Sequence, residues 1–177
     1  SLRDCPDFER FYTYFESEME KVIHLKCRAL DIAAEEMGRL RPQFVISSMV
    51  DDCFERGRNQ MQGGSRYADY GGAIIGLPNV ANSLMALKTA VYDEQFCTVE
   101  ELLAALQANF QGNEGLRKRL QQLPKYGEQN PQADAIMNRL MHSVDRILNA
   151  YTTLHGGKCK QVLLTFNFAP QFGAALG

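Results

Sequence analysis

The chain has 177 residues, a hydrophobic fraction of 45% and a formal net charge of -2. This length allows one domain with a sizeable core, and the composition is ordinary for a globular protein. The slightly acidic balance argues against a nucleic-acid surface, which needs a basic face. No apolar run approaches the roughly 20 residues of a membrane span, and no secretory signal opens the sequence. We therefore expect a cytoplasmic protein that binds neither nucleic acid nor membrane.

The cysteines and histidines suggest no metal site. The five cysteines are scattered, without a Cys-x-x-Cys pair, at Cys5, Cys27, Cys53, Cys97 and Cys159. Their spacing fits neither a zinc site nor a dense disulfide framework, so free thiols are expected. The three histidines lack partners at metal-ligand spacing.

Helical periodicity dominates the first third of the chain. Apolar residues at steps of three, four and seven predict a first helix over about residues 8–40, which an Arg-Pro pair ends. A second helix is predicted over about residues 44–57. Its inward side chains are expected to be Val45, Met49 and Phe54.

Two further helices follow a glycine-rich segment. One is predicted to begin near Pro78, with an apolar stripe formed by Val80, Leu84, Leu87 and Val91. The next begins after Thr98, because Thr98 and Glu101 have the spacing of a capping box. Gly112 is expected to end it.

The last predicted elements are two helices and a strand. A short helix over residues 113–123 precedes a long one that opens at Asn130-Pro131, where asparagine caps and proline occupies the first turn. Residues 161–168, "QVLLTFNF", are apolar enough for a buried strand. The predicted fold is mainly α, with about six helices and one buried strand near the C-terminus. A lone strand needs a partner, so we expect a piece of a larger domain.

The glycine-rich segment, residues 63–76, raises the question of a nucleotide site. Gly71 and Gly76 have the separation found in a phosphate-binding loop, but Leu77-Pro78 follow where lysine and a hydroxyl residue are required. We expect these glycines instead to allow positive φ angles and close approach of backbone segments.

Several long stretches resemble glycyl radical enzymes. The family's GGxRY and NVADSLxAIKK patterns are similar to "GGSRYADYGGAIIGLPNVANSLMALKTAVYDE". Its EELLxALxxNFxGxExLRxxLxxxPKYGND pattern is similar to "EELLAALQANFQGNEGLRKRLQQLPKYGEQN". "RPQFVISSMVDDCFERG" and "LLTFNFAPQFGAALG" also resemble family segments, the latter preceding a TPDGR motif. The resemblance covers nearly all of residues 1–177.

The resemblance implies a larger enzyme. Glycyl radical enzymes share a ten-stranded α/β barrel, in which a glycine radical generates a thiyl radical that attacks the substrate. An activating enzyme with an iron–sulfur cluster and S-adenosylmethionine installs the glycine radical. Residues 1–177 are then expected to be a single partial domain, the middle segment of a pyruvate formate-lyase-like domain. The resemblance further implies formate C-acetyltransferase or diol dehydratase-type lyase chemistry in anaerobic metabolism, a small-molecule substrate and a homo-oligomer.

Neither reactive residue is expected within this chain. None of its cysteines stands in the family's GCxE context, and the radical glycine is expected beyond Gly177. Cys5, in "RDCPDF", is interpreted as structural. We therefore predict no catalytic residue, no bound cofactor and no activity for this chain alone.

The resemblance implies substrate-binding positions on the last strand. They are Leu164, Phe166 and Phe168, which share one strand face by period two. The alternative is that they are ordinary core residues. For the whole chain, the alternative function is a non-catalytic helical interaction module, which a solvent-exposed strand over residues 161–168 would favour.

Overall fold

The computed structural model describes residues 2–163, which form seven helices and two strands. The helices are α1 (Phe8–Leu40), α2 (Phe44–Ser47), α3 (Cys53–Arg56), α4 (Leu77–Leu87), α5 (Val99–Gln107), α6 (Glu114–Gln121) and α7 (Pro131–Ala150). The strands are β1 (Tyr70–Ile74) and β2 (Cys159–Leu163). Helix α4 continues as a π-helical turn over Lys88–Asp93, and 3₁₀ turns occupy Leu2–Asp4 and Gln60–Gln62.

The chain divides into two compact units. Unit 1 comprises Ser1–Ser17 and Gly76–His142, and unit 2 comprises Glu18–Ile75 and Ser143–Gly177. Helices α1 and α7 contribute residues to both units.

Local signals place two helix starts as predicted. The Thr98 hydroxyl accepts a hydrogen bond from the Glu101 amide, and the Glu101 carboxylate accepts one from the Thr98 amide at 2.8 Å. At α7, the Asn130 side-chain oxygen accepts from the amides of Gln132 and Ala133 at 3.0 and 3.1 Å. Each cap satisfies amides that the first helical turn leaves without partners.

Unit 1 buries the N-terminal turns of α1. Tyr12 is almost completely buried, and its ring lies 6.0 Å from that of Phe8. The Arg139 guanidinium stacks 3.8 Å from the Tyr12 ring centroid and forms a 2.7 Å ion pair with Glu9. A second buried cluster contains Ala90, Cys97 and Leu102.

The expected second helix over residues 44–57 is wrong. Two single-turn helices, α2 and α3, replace it, because Asp52 adopts a left-handed φ of +72° that no α-helix continues through. The guanidinium of Arg66 holds this turn by donating to the Asp52 carboxylate at 2.8 Å. Val45, Met49 and Phe54, expected to point inward, are instead largely exposed in this structure.

The prediction of a single strand is also wrong. Strand β1 lies within the glycine-rich segment and pairs in parallel with β2, from Tyr70 opposite Cys159 to Ile74 opposite Leu163. The sequence pattern did not indicate β1, because two of its five residues are glycine, which is depleted in strands. The strand partner that the apolar C-terminal run required is therefore β1, which lies about ninety residues earlier in the chain.

Candidate functional site

Four of the five glycines in residues 63–76 fall into two groups. Gly63 and Gly76 have positive φ angles of +74° and +82°. Gly64 and Gly71 lie so close to backbone carbonyl oxygens, of Arg58 and Lys160 respectively, that an added Cβ would collide with them. The prediction of positive φ angles and close backbone approach is confirmed for these four glycines.

The strand pair has one covered face and one bare face. Along β1, half-buried Tyr70, Gly72 and Ile74 alternate with exposed Gly71 and Ala73. The same alternation continues along β2, where buried Cys159 and half-buried Gln161 alternate with exposed Lys160 and Val162.

Helix α1 packs against the covered face. Lys26 donates to the carbonyl oxygen of Ala73 at 3.3 Å, and an added Cβ on Gly72 would lie 2.7 Å from the Lys26 Cε. Parallel sheets are normally covered on both faces. The second face of β1 and β2 is therefore a surface on which further protein or a ligand is expected.

Asp31 of α1 holds the covered face together. Its Oδ1 accepts from the Tyr70 hydroxyl and, at 3.0 Å, from the Leu154 amide. Its Oδ2 accepts from the Tyr151 hydroxyl at 2.6 Å. One carboxylate therefore links α1, β1, the end of α7 and the turn that precedes β2.

The pKa shifts around Asp31 are consistent with hydrogen-bonded packing at neutral pH. Partial burial raises the pKa of Asp31, but the hydrogen bonds from Tyr151 and Tyr70 outweigh that effect and lower it overall. Burial and the Asp31 carboxylate raise the pKa of Tyr70 to about 12, and the same carboxylate raises that of Tyr151 to about 12. The carboxylate is thus ionised and both phenols keep their protons, which is the state that makes these hydrogen bonds strong.

The neighbouring Tyr67, Asp69 and Tyr70 do not form an acid–base group. The Asp69 carboxylate accepts from the Lys158 amide at 2.7 Å, Tyr70 points to Asp31, and Tyr67 is exposed. Asp69 and Tyr70 thus serve hydrogen-bonded packing.

A cavity of about 430 Å³ lies beside the start of β1 within unit 2. Its lining includes Met37, Met61, Tyr67 and His155. The His155 Nε2 lies 3.2 Å from the carbonyl oxygen of Met61. The lining is mostly apolar, which suits packing or a weakly polar ligand.

Cys5 is buried, and its carbonyl oxygen accepts from the Tyr92 hydroxyl at 3.3 Å. This setting agrees with a structural role. Burial raises the pKa of the Cys97 thiol, and burial together with Cys159 raises that of Cys27 to about 12. Such thiols are poor nucleophiles.

Residues 2–163 contain no set of three or more His, Cys, Asp or Glu side chains placed to hold a metal ion. Over the same residues, no helix has both the length and the apolar character that crossing a bilayer demands.

The predicted substrate-binding residues Leu164, Phe166 and Phe168 lie outside the described residues. Sequence reasoning missed Asp31 and β1. The signal for Asp31 was weak, since it amounted to one carboxylate between Leu30 and Ile32 on a helix that carries several other acidic residues.

Comparison with known proteins identifies the class. The pyruvate formate lyase-like family matches residues 1–173. The chain is 27% identical over 176 residues to trans-4-hydroxy-L-proline dehydratase of Clostridioides difficile, covering 99% of this chain and 22% of that protein. It is 32% identical to "Probable dehydratase YbiW" of Escherichia coli (strain K12), covering 83% of this chain and 17% of that protein.

A solved structure gives the same result. The glycerol-bound form of the B12-independent glycerol dehydratase from Clostridium butyricum superposes with a TM-score of 0.84 at 28% identity, covering 89% of this chain and 20% of that one. The chain therefore belongs to the pyruvate formate lyase-like family, whose members include glycyl radical dehydratases and lyases. It spans about a fifth of the length of the relatives it matches. Family membership supports the enzyme-segment interpretation over that of a non-catalytic helical module.

Proposed function

We propose that the complete protein containing this chain is a glycyl radical dehydratase that eliminates water from a small hydroxylated substrate. The support is the agreement among relatives that match nearly the whole chain. Two of them are named for hydroxyproline and glycerol, both of which lose a hydroxyl group on dehydration. Between the two chemistries that the sequence left open, these names favour dehydration over formate acetyl transfer.

In this proposal, residues 18–75 and 143–163 form a scaffold that presents the next residues to the substrate. The single observation that carries it is the bare face of the strand pair, which includes Lys160 and Val162. Leu164, Phe166 and Phe168 have the same parity in the sequence as those two residues. An apolar wall at these positions would exclude water from a radical intermediate.

The proposal assigns radical generation to the rest of the protein and to a partner. An activating enzyme with an iron–sulfur cluster and S-adenosylmethionine would supply the glycine radical, and a cysteine elsewhere would carry the thiyl radical. The five cysteines of this chain are buried, which suits packing rather than that role. The chain alone is therefore expected to be inactive.

The test uses Leu164→Ala and Phe166→Ala in the complete protein, activated without oxygen and assayed with a panel of vicinal diols and hydroxyproline. We expect the glycine radical signal in electron paramagnetic resonance to be unchanged, while KM or substrate preference changes by about tenfold, as for a lost pocket contact. Thr165→Ser, of opposite parity, is the matched control and should keep the parent kinetics.

Two outcomes would count against the proposal. Unchanged kinetics for both alanine variants on every substrate would refute the pocket assignment. Activity on pyruvate with coenzyme A, and none on any hydroxylated compound, would refute the dehydratase assignment.

A further inference from the structure

Two cysteines far apart in sequence meet inside unit 2. The Cys27 Sγ on α1 lies 3.1 Å from the Cys159 Sγ at the first residue of β2. Both residues are free thiols, with exposed fractions of 0% and 2%. A disulfide has a sulfur–sulfur distance near 2.05 Å, so the two atoms need to approach by only about 1 Å.

The surroundings keep this pair reduced in the closed structure. Burial, together with the hydrogen bond to Cys159, raises the pKa of the Cys27 thiol to about 12. Because the thiolate is the reactive form, the buried pair is inert at neutral pH while the covered face stays closed. Reaction requires a local opening between α1 and β2 that admits a small oxidant.

We propose that Cys27 and Cys159 are an oxidation site, at which a peroxide converts the two thiols into a disulfide that links α1 to β2. In the first step one thiol gives up its proton and its sulfur attacks an oxygen of hydrogen peroxide, which breaks the O–O bond. A sulfenic acid forms, and the departing hydroxide takes up the proton and leaves as water. In the second step the other sulfur attacks the sulfenic sulfur, forming the S–S bond and releasing a second water. The thiols lose two electrons and two protons, and the peroxide is reduced.

The position of the link gives it a consequence. Cys159 is the first residue of β2, and residues 164–168 follow β2 directly in the sequence. A covalent link there fixes β2 to α1 and restricts the unfolded chain over a loop of more than a hundred residues, which favours the folded state. The oxidised protein should therefore open this region more slowly than the reduced protein.

The experiment uses the complete protein, purified reduced and without oxygen, then treated with hydrogen peroxide. Digestion without reductant should yield one linked pair of peptides containing Cys27 and Cys159. Its mass should be two hydrogen atoms below the sum of the free peptides, and dithiothreitol should reverse the change. The oxidised protein should also show a higher unfolding temperature than the reduced protein.

Matched variants test the assignment. Cys97→Ser is the control. It removes a buried thiol that contacts the Thr98 carbonyl oxygen at 3.3 Å, and it leaves Cys27 and Cys159 in place, so the linked pair should persist. Cys159→Ser should abolish both the link and the rise in unfolding temperature. Recovery of Cys27 and Cys159 as thiols or as separate sulfinic acids, even when mild denaturant accelerates opening, would overturn the proposal.

Discussion

Asp31 illustrates how single residues hold unit 2 together. It is a partly buried carboxylate between Leu30 and Ile32 on α1, a place where an unpaired charge would be costly. Hydrogen bonds from Tyr70, Tyr151 and the Leu154 amide offset that cost. Removing the charge should therefore weaken the attachment of the turn before β2.

We expect Asp31→Asn to speed hydrogen exchange of the Leu154 amide about fivefold at neutral pH. A fivefold change corresponds to about 1 kcal/mol in the free energy of local opening. This is the contribution of a hydrogen bond to a charged group, reduced because the carboxylate is partly exposed to solvent. Mass spectrometry of peptides from the complete protein measures the change. Asp145→Asn, at an exposed position on α7, is the control and should leave that rate unchanged.

The lowered pKa of Asp31 predicts that the destabilisation caused by Asp31→Asn depends on pH. The pKa of Asp31 is lowered in the folded state, so its stabilisation is present above the unfolded pKa of about 3.9 and is lost as the pH falls through the folded pKa. The gap in unfolding temperature between the parent protein and Asp31→Asn should be constant from pH 8 to about pH 5 and should close in stronger acid. A gap that stays constant down to about pH 2 would contradict this.

At the level of elements, the glycines of β1 determine how closely two strands and a helix approach. Gly71 faces the backbone of Lys160, whereas Gly72 faces the flexible end of the Lys26 side chain. A backbone cannot move without breaking the strand pairing, but a lysine side chain can adopt another rotamer. The two neighbouring glycines should therefore respond differently to the same substitution.

Gly71→Ala should destabilise the complete protein by about 3 kcal/mol or prevent its folding, as overpacking against backbone does. Gly72→Ala should cost clearly less. Gly115→Ala is the control, because Gly115 lies on α6 with nothing within 4 Å of an added Cβ, so alanine there should be neutral or slightly stabilising. Thermal unfolding ranks the three variants, and equal losses at positions 71 and 72 would refute the explanation.

For the whole molecule, the most informative feature is an exposed apolar cluster on α2, α3 and the turn between them. Phe44, Val45, Met49 and Phe54 are 72%, 72%, 81% and 76% exposed. Ile46 is 51% exposed as well, and five large apolar side chains in eleven residues are unusual on a free surface. The chain spans about a fifth of its relatives' length, so we infer that other parts of the complete protein cover this cluster.

Methionine oxidation tests this inference. In the complete protein, Met49 should react with peroxide about as slowly as Met85, which is 2% exposed in unit 1. The comparison is made within one sample, so it needs no variant that could fail to fold. Oxidation of Met49 many times faster than that of Met85 would show that the cluster is bare.

The amino-acid sequence by itself determined the elements whose signals are local. The periodicity of α1, the Thr98 capping box of α5 and the Asn130-Pro131 start of α7 each depend on residues within a few positions, so their placement needed no tertiary information. The sequence also indicated the family, which the comparisons confirmed. It supplied the substrate-binding hypothesis at Leu164, Phe166 and Phe168, which stays a prediction.

Only the tertiary structure decided the features that depend on distant partners. β1 is a strand because β2, about ninety residues later, supplies its hydrogen bonds, and its glycines have little strand preference of their own. Residues 44–57 form two short helices because Arg66 stabilises the left-handed turn at Asp52. The role of Asp31 emerged in the same way, since its partners are brought to it by the fold and not by their spacing in the chain.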